Sequence, residues 1–415
     1  MPERVVVTGM GVVSPIGVGT SAFSDALTQG RSGVRRITRF DASPFKSQIA
    51  GEIREADLKP ALDTMDPKSL HRMDRFARLA IIAAAEALHD SGLASRPADE
   101  GEIGVVIGTG LGGIGTTDIE HMRIYTKGPR AVSPLAIPLA MHSAAASHIA
   151  IQFALRGPNL TISTGCAAGA HAIGHAYLMI KHGCAKALVA GGADAPITPS
   201  ILAAWSALRV LSARNNTPET ACRPFSRDRD GLVLGEGAGI LVLESLAHAV
   251  KRSAPLYGEV AGFAANGDAS HLTQPSPRAI ATVIRRALQD AGQAPEGVEY
   301  ISAHGTATAL NDRVETEAIR QVFGERAHAI PVSSLKSMMG HAMGASGALQ
   351  AIAAFLSMRA RLIPPTINYT EQDPACDLDY VPNRARPGAV NLTMVNAFAF
   401  GGNNAILVLK KGAER

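Results

Sequence analysis

Cys166 stands in Thr161-Ile162-Ser163-Thr164-Gly165-Cys166-Ala167-Ala168-Gly169-Ala170, between an apolar, β-prone run and an alanine-rich helical stretch. A strand-to-helix turn there would present the thiol as a nucleophile. The free N–H groups and positive dipole end of the following helix would favour thiolate over thiol. Two later segments supply imidazoles: Ala303-His304-Gly305-Thr306-Ala307-Thr308, and the stretch from Lys336 through Gly340-His341 to Gly347. A lone cysteine in apolar surroundings reads as inert core. One cysteine combined with two glycine-flanked histidines reads as a site for nucleophilic catalysis. Cys184, Cys222 and Cys376 adjoin no comparable glycine-rich turn and keep the reading of inert thiols.

The elements that must position these residues follow an α/β pattern. Val5 to Gly9, Ile103 to Ile107, Thr161 to Thr164, Ala187 to Ala190 and Ile240 to Leu243 read as strands. Ala77 to Leu88 has the apolar density of a buried helix, and Gly169 to Ile180 places Ala170, Ile173, Tyr177 and Ile180 near one face. After Tyr257 the plan restarts, with a strand at Glu259 to Phe263, a helix at Ala279 to Ala291, and a strand at Glu299 to Ser302 leading into the His304 turn. The expected division is a half at 1–255 carrying the cysteine and a half at 256–415 carrying both histidines. With no Pro/Gly-rich linker between them, the halves are expected to pack as one body.

Composition narrows the function classes. The 415 residues are 46% hydrophobic and 18% charged, enough to bury a large core. A net charge of +4 and 4% aromatic residues argue against nucleic-acid binding, which needs a basic footprint and stacking platforms. No long apolar stretch escapes charge or glycine, and the start at Met1 lacks an export pattern, so a cytoplasmic setting with reduced thiols is expected.

The cysteine and two histidines in these contexts resemble the β-ketoacyl-acyl-carrier-protein synthases, specifically the elongating enzymes of the KAS II kind. The resemblance starts at Val5-Val6-Val7-Thr8-Gly9-Met10-Gly11-Val12-Val13-Ser14-Pro15-Ile16-Gly17 and continues through Gly192-Ala193-Asp194, Arg227-Asp228-Arg229-Asp230-Gly231 and Gly235-Glu236-Gly237-Ala238-Gly239. It ends at Asn396-Ala397-Phe398-Ala399-Phe400-Gly401-Gly402-Asn403-Asn404. It implies a thiolase-like fold, a duplicated α-β-α-β-α layering. It also implies a decarboxylative Claisen condensation in fatty acid or related polyene or polyketide elongation. Cys166 would carry the acyl chain as a thioester, and neutral His304 and His341 would donate to the malonyl thioester oxygen as the enolate develops. A helix N-terminus near His341 would hold its imidazole neutral.

Further roles follow from the same resemblance. The amides of Cys166 and Phe400 would bind the oxyanion, and Gly401 and Gly402 would let Phe400 gate the site. Lys336, Asp312 and Glu315 would form a charged support behind the histidines. Thr306 and Thr308 would bind the pantetheine arm, with His271 and Thr273 along the same approach. Leu111 near the tunnel floor, Trp205 and Ala136 would shape the acyl pocket. Lys68 and Arg130 would dock an acidic acyl carrier protein, which itself supplies the phosphopantetheine, so no metal, nucleotide or dissociable cofactor is expected. A homodimer, or a pair with a homologous subunit, is implied. The alternative of a non-catalytic chain-length-factor-like partner is disfavoured by the retained Cys166, because such partners lack the nucleophile.

Two motifs compete with this reading. Gly110-Leu111-Gly112-Gly113-Ile114-Gly115 satisfies a dinucleotide fingerprint after a strand, but no acidic residue follows about twenty positions on. His171 and His175 share a helical face, but neither a following Glu nor a third ligand is evident. The chain also departs from the fatty-acid pattern at Asn311, Ala397, Ala399 and Asn403, around the gate, and a reshaped acyl tunnel is expected.

Overall fold

In the computed structural model, which describes residues 2–94 and 103–412, the β-branched run at the start forms a fully buried strand β1 (Val5–Ser14). The first half adds β2 (Ile103–Gly108), β3 (Asn159–Ile162), β4 (Ala187–Asp194) and β5 (Gly237–Ser245). The second half has β6 (Gly258–Gly267), β7 (Tyr300–Ser302), β8 (Val332–Ser333), β9 (Leu392–Ala399) and β10 (Asn403–Lys411). Helix α1 (Arg75–Asp90) follows β1, α2 (Ala168–Lys181) follows β3, and α3 (Pro199–Ala207) follows β4. In the second half α4 (Pro277–Asp290) follows β6, α5 (Ala309–Phe323) follows β7, and α6 (Ser346–Ala360) follows β8.

The two halves share one topology. Across each, the strands lie in the order third, second, fourth, fifth, first. In the first half β2 pairs in parallel with β3 and β4, while β5 is antiparallel to β4 and β1. In the second half β7 pairs in parallel with β8 and β9, while β10 is antiparallel to β9 and β6. The first strands of the halves meet antiparallel, Val5 opposite Val260 and Val7 opposite Gly258, so hydrogen bonding runs through one 11-stranded sheet.

Each half packs an amphipathic helix outside and a buried helix inside. Helix α4 buries Ile280, Val283, Ile284, Ala287 and Leu288 and starts at Ser276, whose side chain accepts from the Ala279 amide. Helix α6 has no polar face: Ser346 through Met358 are all buried, the pattern of a helix enclosed on every side. Its Gln350 is satisfied by donating Nε2 to the carbonyls of Ser302 at 3.1 Å and Ala303 at 2.8 Å. Helices α2 and α6 form the shared middle layer, in one core cluster with residues from both halves of the sheet.

The middle helices meet through glycines. A Cβ on Gly169 would lie 2.5 Å from the Gly344 carbonyl oxygen, and one on Gly347 would lie 2.8 Å from Ala170 Cβ. The missing side chains let the N-terminal ends of α2 and α6 approach, which places Cys166 and His341 at equivalent junctions of the two halves. His304 follows β7. All three therefore lie beyond the carboxyl ends of parallel strands, where open α/β sheets form their crevices. Among the described residues no helix is long and apolar enough to cross a membrane.

The strands and helices read from periodicity are present, extended at most ends. Three ends fall short: the helix read to Ala291 ends at Asp290, the strand read from Glu299 starts at Tyr300, and β3 ends at Ile162, with Thr164 already belonging to the turn. The left-handed φ of 60° at Gly165 turns the backbone out of the extended conformation there.

Candidate active site

Cys166 occupies a 3-10 turn, Gly165–Ala167, that runs directly into α2, and Gly165 takes the left-handed φ of 60° that the sharp turn requires. Cys166, His304 and His341 line one cavity of about 300 Å³. The imidazoles of His304 and His341 are 5.4 Å apart, centroid to centroid, with planes at 85°. His304 also packs on Phe398 at 5.5 Å. The remaining wall includes Leu208, Val210, Leu232, Leu272, Pro275 and Leu310, which makes it mostly apolar.

Both histidines are held neutral. Burial and the positive charge of Lys336 push each imidazole well below its ordinary value, and His341 adds to the effect on His304. For His341 the sequence predicts neutrality from a helix N-terminus; burial is the larger cause found here. The Nδ1 of His341 lies 3.1 Å from Ser346 Oγ, so a hydroxyl donating to Nδ1 leaves the proton on Nε2. His304 Nδ1 is buried with no partner, which also favours a lone pair there and N–H at Nε2, since an unpaired buried N–H is costly. Each ring can then donate one hydrogen bond to an oxygen in the cavity.

At Cys166 desolvation works against the expected thiolate. Burial pushes the thiol up to about 12, against an opposing pull from Lys336. Desolvation thus opposes the thiolate, while the Lys336 charge and the helix N-terminus favour it. Its sulfur lies 3.9 Å from Met343 Sδ.

Lys336, Asp312 and Glu315 are all buried, but they are not paired with one another. The Lys336 ammonium donates to the His304 carbonyl oxygen, and burial lowers its pKa to about 8. Glu315 accepts from the amides of His304 and Gly305, each at 2.8 Å, and from Asn396 Nδ2 at 2.9 Å. Asp312 accepts from the amides of Phe225 at 2.8 Å and Thr306 at 3.1 Å, and pairs with Arg229 at 3.4 Å. The carboxylates thus hold the His304 turn by its backbone, and burial raises the pKa of both.

The other expected residues divide. Thr306, Thr308, His271, Thr273, Trp205 and Phe400 line the cavity, with the Thr306 and Thr308 hydroxyls 2.9 Å apart. Leu111 and Ala136 do not. The loop bearing Leu111 is drawn onto Asp194, whose carboxylate accepts from the amides of Gly110 at 2.7 Å, Leu111 at 3.1 Å and Gly344 at 2.6 Å and from the Thr109 hydroxyl at 2.7 Å. Ala136 opens a short helix, Ala136–Ala140, with no buried residue. Lys68 and Arg130 are exposed and also lie outside the cavity lining.

Asp194 also disposes of the dinucleotide motif, because the amides that would face a pyrophosphate already serve an internal carboxylate. His171 points Nδ1 at the Ala167 carbonyl, 3.1 Å away, rather than toward a site shared with His175. Among the described residues no group of three or more His, Cys, Asp or Glu could hold a metal ion.

Sequence reasoning assigned no role to Asp194, Arg229, Asn396 or Gln350. The first three lay inside stretches used for the resemblance. Gln350 was the lone polar residue in the apolar run from Ala348 to Leu356.

Comparison with known proteins agrees with this geometry. Residues 2–249 match the model of the beta-ketoacyl synthase N-terminal domain, and residues 257–370 that of its C-terminal domain. The chain is 47% identical over 411 residues to a 3-oxoacyl-[acyl-carrier-protein] synthase 2 of Coxiella burnetii, covering 99% of each chain. It is 44% identical over 411 residues to the enzyme of the same name from Synechocystis, covering 99% of this chain and 98% of that one. Among solved structures it is similar to a type II polyketide-synthase acyl-carrier protein in complex with its ketosynthase bound to the hexaketide, with TM-score 0.91, 36% identity, and 99% and 100% of the two chains covered. It is also similar to the ishigamide ketosynthase/chain length factor, with TM-score 0.90, 38% identity and both chains fully covered. The chain belongs to the β-ketoacyl synthase family.

Proposed function

We propose that the chain is a β-ketoacyl-acyl-carrier-protein synthase that elongates fatty acid or polyketide chains. The observation that carries this reading is the cavity in which one thiol faces two imidazoles held neutral by burial and by Lys336.

The acyl thioester of a carrier protein enters this cavity, and Cys166 Sγ attacks its carbonyl carbon. The tetrahedral oxyanion is met by backbone amides at Cys166 and Phe400. Collapse expels the pantetheine sulfur, which leaves with the proton that Cys166 gives up, so the exchange of thioester for thiol is balanced. Malonyl-carrier protein then binds with its thioester oxygen between His304 and His341. Loss of its carboxylate as carbon dioxide leaves the electron pair on the enolate, and the two N–H donors stabilise the charge on oxygen. The enolate carbon attacks the Cys166 thioester. Expulsion of the cysteine sulfur, which takes a proton from water to return to the thiol, releases the β-ketoacyl-carrier product.

Written this way, the reaction needs no metal or dissociable cofactor, since the pantetheine arm arrives with its carrier. Thr306, Thr308, His271 and Thr273 lie where such an arm would pass, and Lys68 and Arg130 are candidates to dock the acidic carrier. A second copy or a homologous subunit is proposed to cover the segment from Ile119 to Leu160. There Met122, Tyr125, Ile137 and Ile151 are exposed, and β3 is the last strand of the sheet. Leu111 and Ala136 flank that face and would join the acyl tunnel there. The division into halves at 1–255 and 256–415 is supported by the repeated strand order, and a cytoplasmic setting by four free cysteines.

The test is intact-protein mass spectrometry after mixing the enzyme with a panel of acyl-carrier thioesters, then with malonyl-carrier protein. An acyl mass on the wild type that Cys166→Ala lacks, followed by a β-ketoacyl carrier, is the expected result. No acyl mass from any donor, alone or with a homologous subunit present, would sink the reading.

A further inference from the structure

Trp205, the only tryptophan in the chain, stacks on the ring of Phe400, centroids 5.6 Å apart and planes at 27°. Both line the cavity that holds Cys166. The two rings are mounted very differently. Trp205 lies on α3, which starts at Thr198, whose hydroxyl accepts from the Ile201 amide, and continues with a proline at its first position. Leu202 of the same helix is fully buried, and Trp205 packs against the cluster containing Ile197, Leu202, Leu232, Leu234 and Met343.

Phe400 sits on a hinge. The residue is 44% exposed, and Gly401 and Gly402 after it take φ of 80° and 70°, a left-handed backbone that glycine adopts without side-chain penalty. The turn is held in place by three hydrogen bonds: Gly401 N–H to the Leu272 carbonyl at 2.7 Å, Asp268 N–H to the Gly402 carbonyl at 3.0 Å, and Asn403 Nδ2 to the Phe400 carbonyl at 3.4 Å. One ring is fixed to the core and the other rides on glycines. Their stack must separate whenever Phe400 leaves the cavity.

We propose that Trp205 is a positioning residue that latches Phe400 in the cavity, so that loading of Cys166 proceeds through an opened stack. This rests on the ketosynthase reading. An aromatic pair shifts such an equilibrium by about two- to tenfold beyond simple burial. Removing the indole face while keeping bulk, as in Trp205→Leu, should speed acyl loading by that factor. Trp205→Phe keeps a stacking face and should load close to the wild-type rate.

The single tryptophan also reports directly on the latch. Wild-type enzyme is mixed with the carrier thioester that loads most in the mass panel, and tryptophan emission and acyl mass on Cys166 are followed at the same times. The expected result is an emission change that tracks the acyl mass and is absent from Cys166→Ala and from Phe400→Leu. Acyl mass without an emission change overturns the latch and leaves the ketosynthase reading intact. A change that persists in Phe400→Leu also overturns it, because the chain touching the indole would then be the cause. Equal loading rates in wild type, Trp205→Phe and Trp205→Leu do so as well. Absence of any acyl mass overturns the latch together with the function it rests on.

Discussion

The ammonium of Lys336, 1% exposed, donates to the carbonyl oxygen of His304, the residue whose imidazole it helps to keep neutral. One cation therefore anchors the histidine turn and adds to the burial that keeps both rings neutral. Replacing it with the neutral, similarly long methionine removes the repulsion. In Lys336→Met the pKa of each histidine should rise, so the neutral form is lost at higher pH as pH falls. The acid limb of the pH profile of kcat/KM for condensation should move upward. An acid limb that stays in place would refute the electrostatic role.

Burial places the Cys166 thiol at about 12, so the resting enzyme holds little thiolate near neutrality. Alkylation by iodoacetamide should rise about tenfold per pH unit between roughly pH 7 and pH 9, without a plateau. A plateau near neutral pH would mean that the helix N-terminus outweighs desolvation after all.

Nucleophile and enolate donors occupy separate parts of the cavity, so their losses should separate. Cys166→Ala should accept no acyl group yet still release carbon dioxide from malonyl-carrier protein. His304→Ala and His341→Ala should load acyl chains on Cys166 but lose about 10²- to 10³-fold in condensation, the usual cost of an oxyanion donor. Loss of acyl loading in the histidine variants would contradict the assignment.

Asp194 joins the loop after β2 to the loop before α6 by accepting from three amides and one hydroxyl. Asp194→Ala leaves those donors buried and unpaired, and should lower stability by roughly 3 kcal/mol or more. Asp194→Asn retains an acceptor oxygen and should lose less. Urea unfolding of the two variants provides the comparison, and equal midpoints would count against the clamp.

Much of this protein was decided locally. The β-branched run at Val5, the apolar helix after Ser346 and the glycine turns around Cys166, His304 and His341 are visible in the chain because side-chain period and backbone conformation act between near neighbours. The three residues that face one another could be named for the same reason. The neutral state of the histidines could be named too, but not its main cause, since desolvation depends on what packs around each group: burial lowers the pKa of both imidazoles and also opposes the dipole that α2 offers Cys166. The partners of the buried carboxylates were equally hidden. Asp312 finds Arg229, and Asp194 finds Gly344 150 residues away. The stack of Trp205 on Phe400 likewise arises only when the two halves close on each other, and Leu111 is held off the cavity wall by its bond to Asp194. Contacts between residues so far apart in the chain leave no periodic trace in it, because they are selected by packing and desolvation in the assembled core.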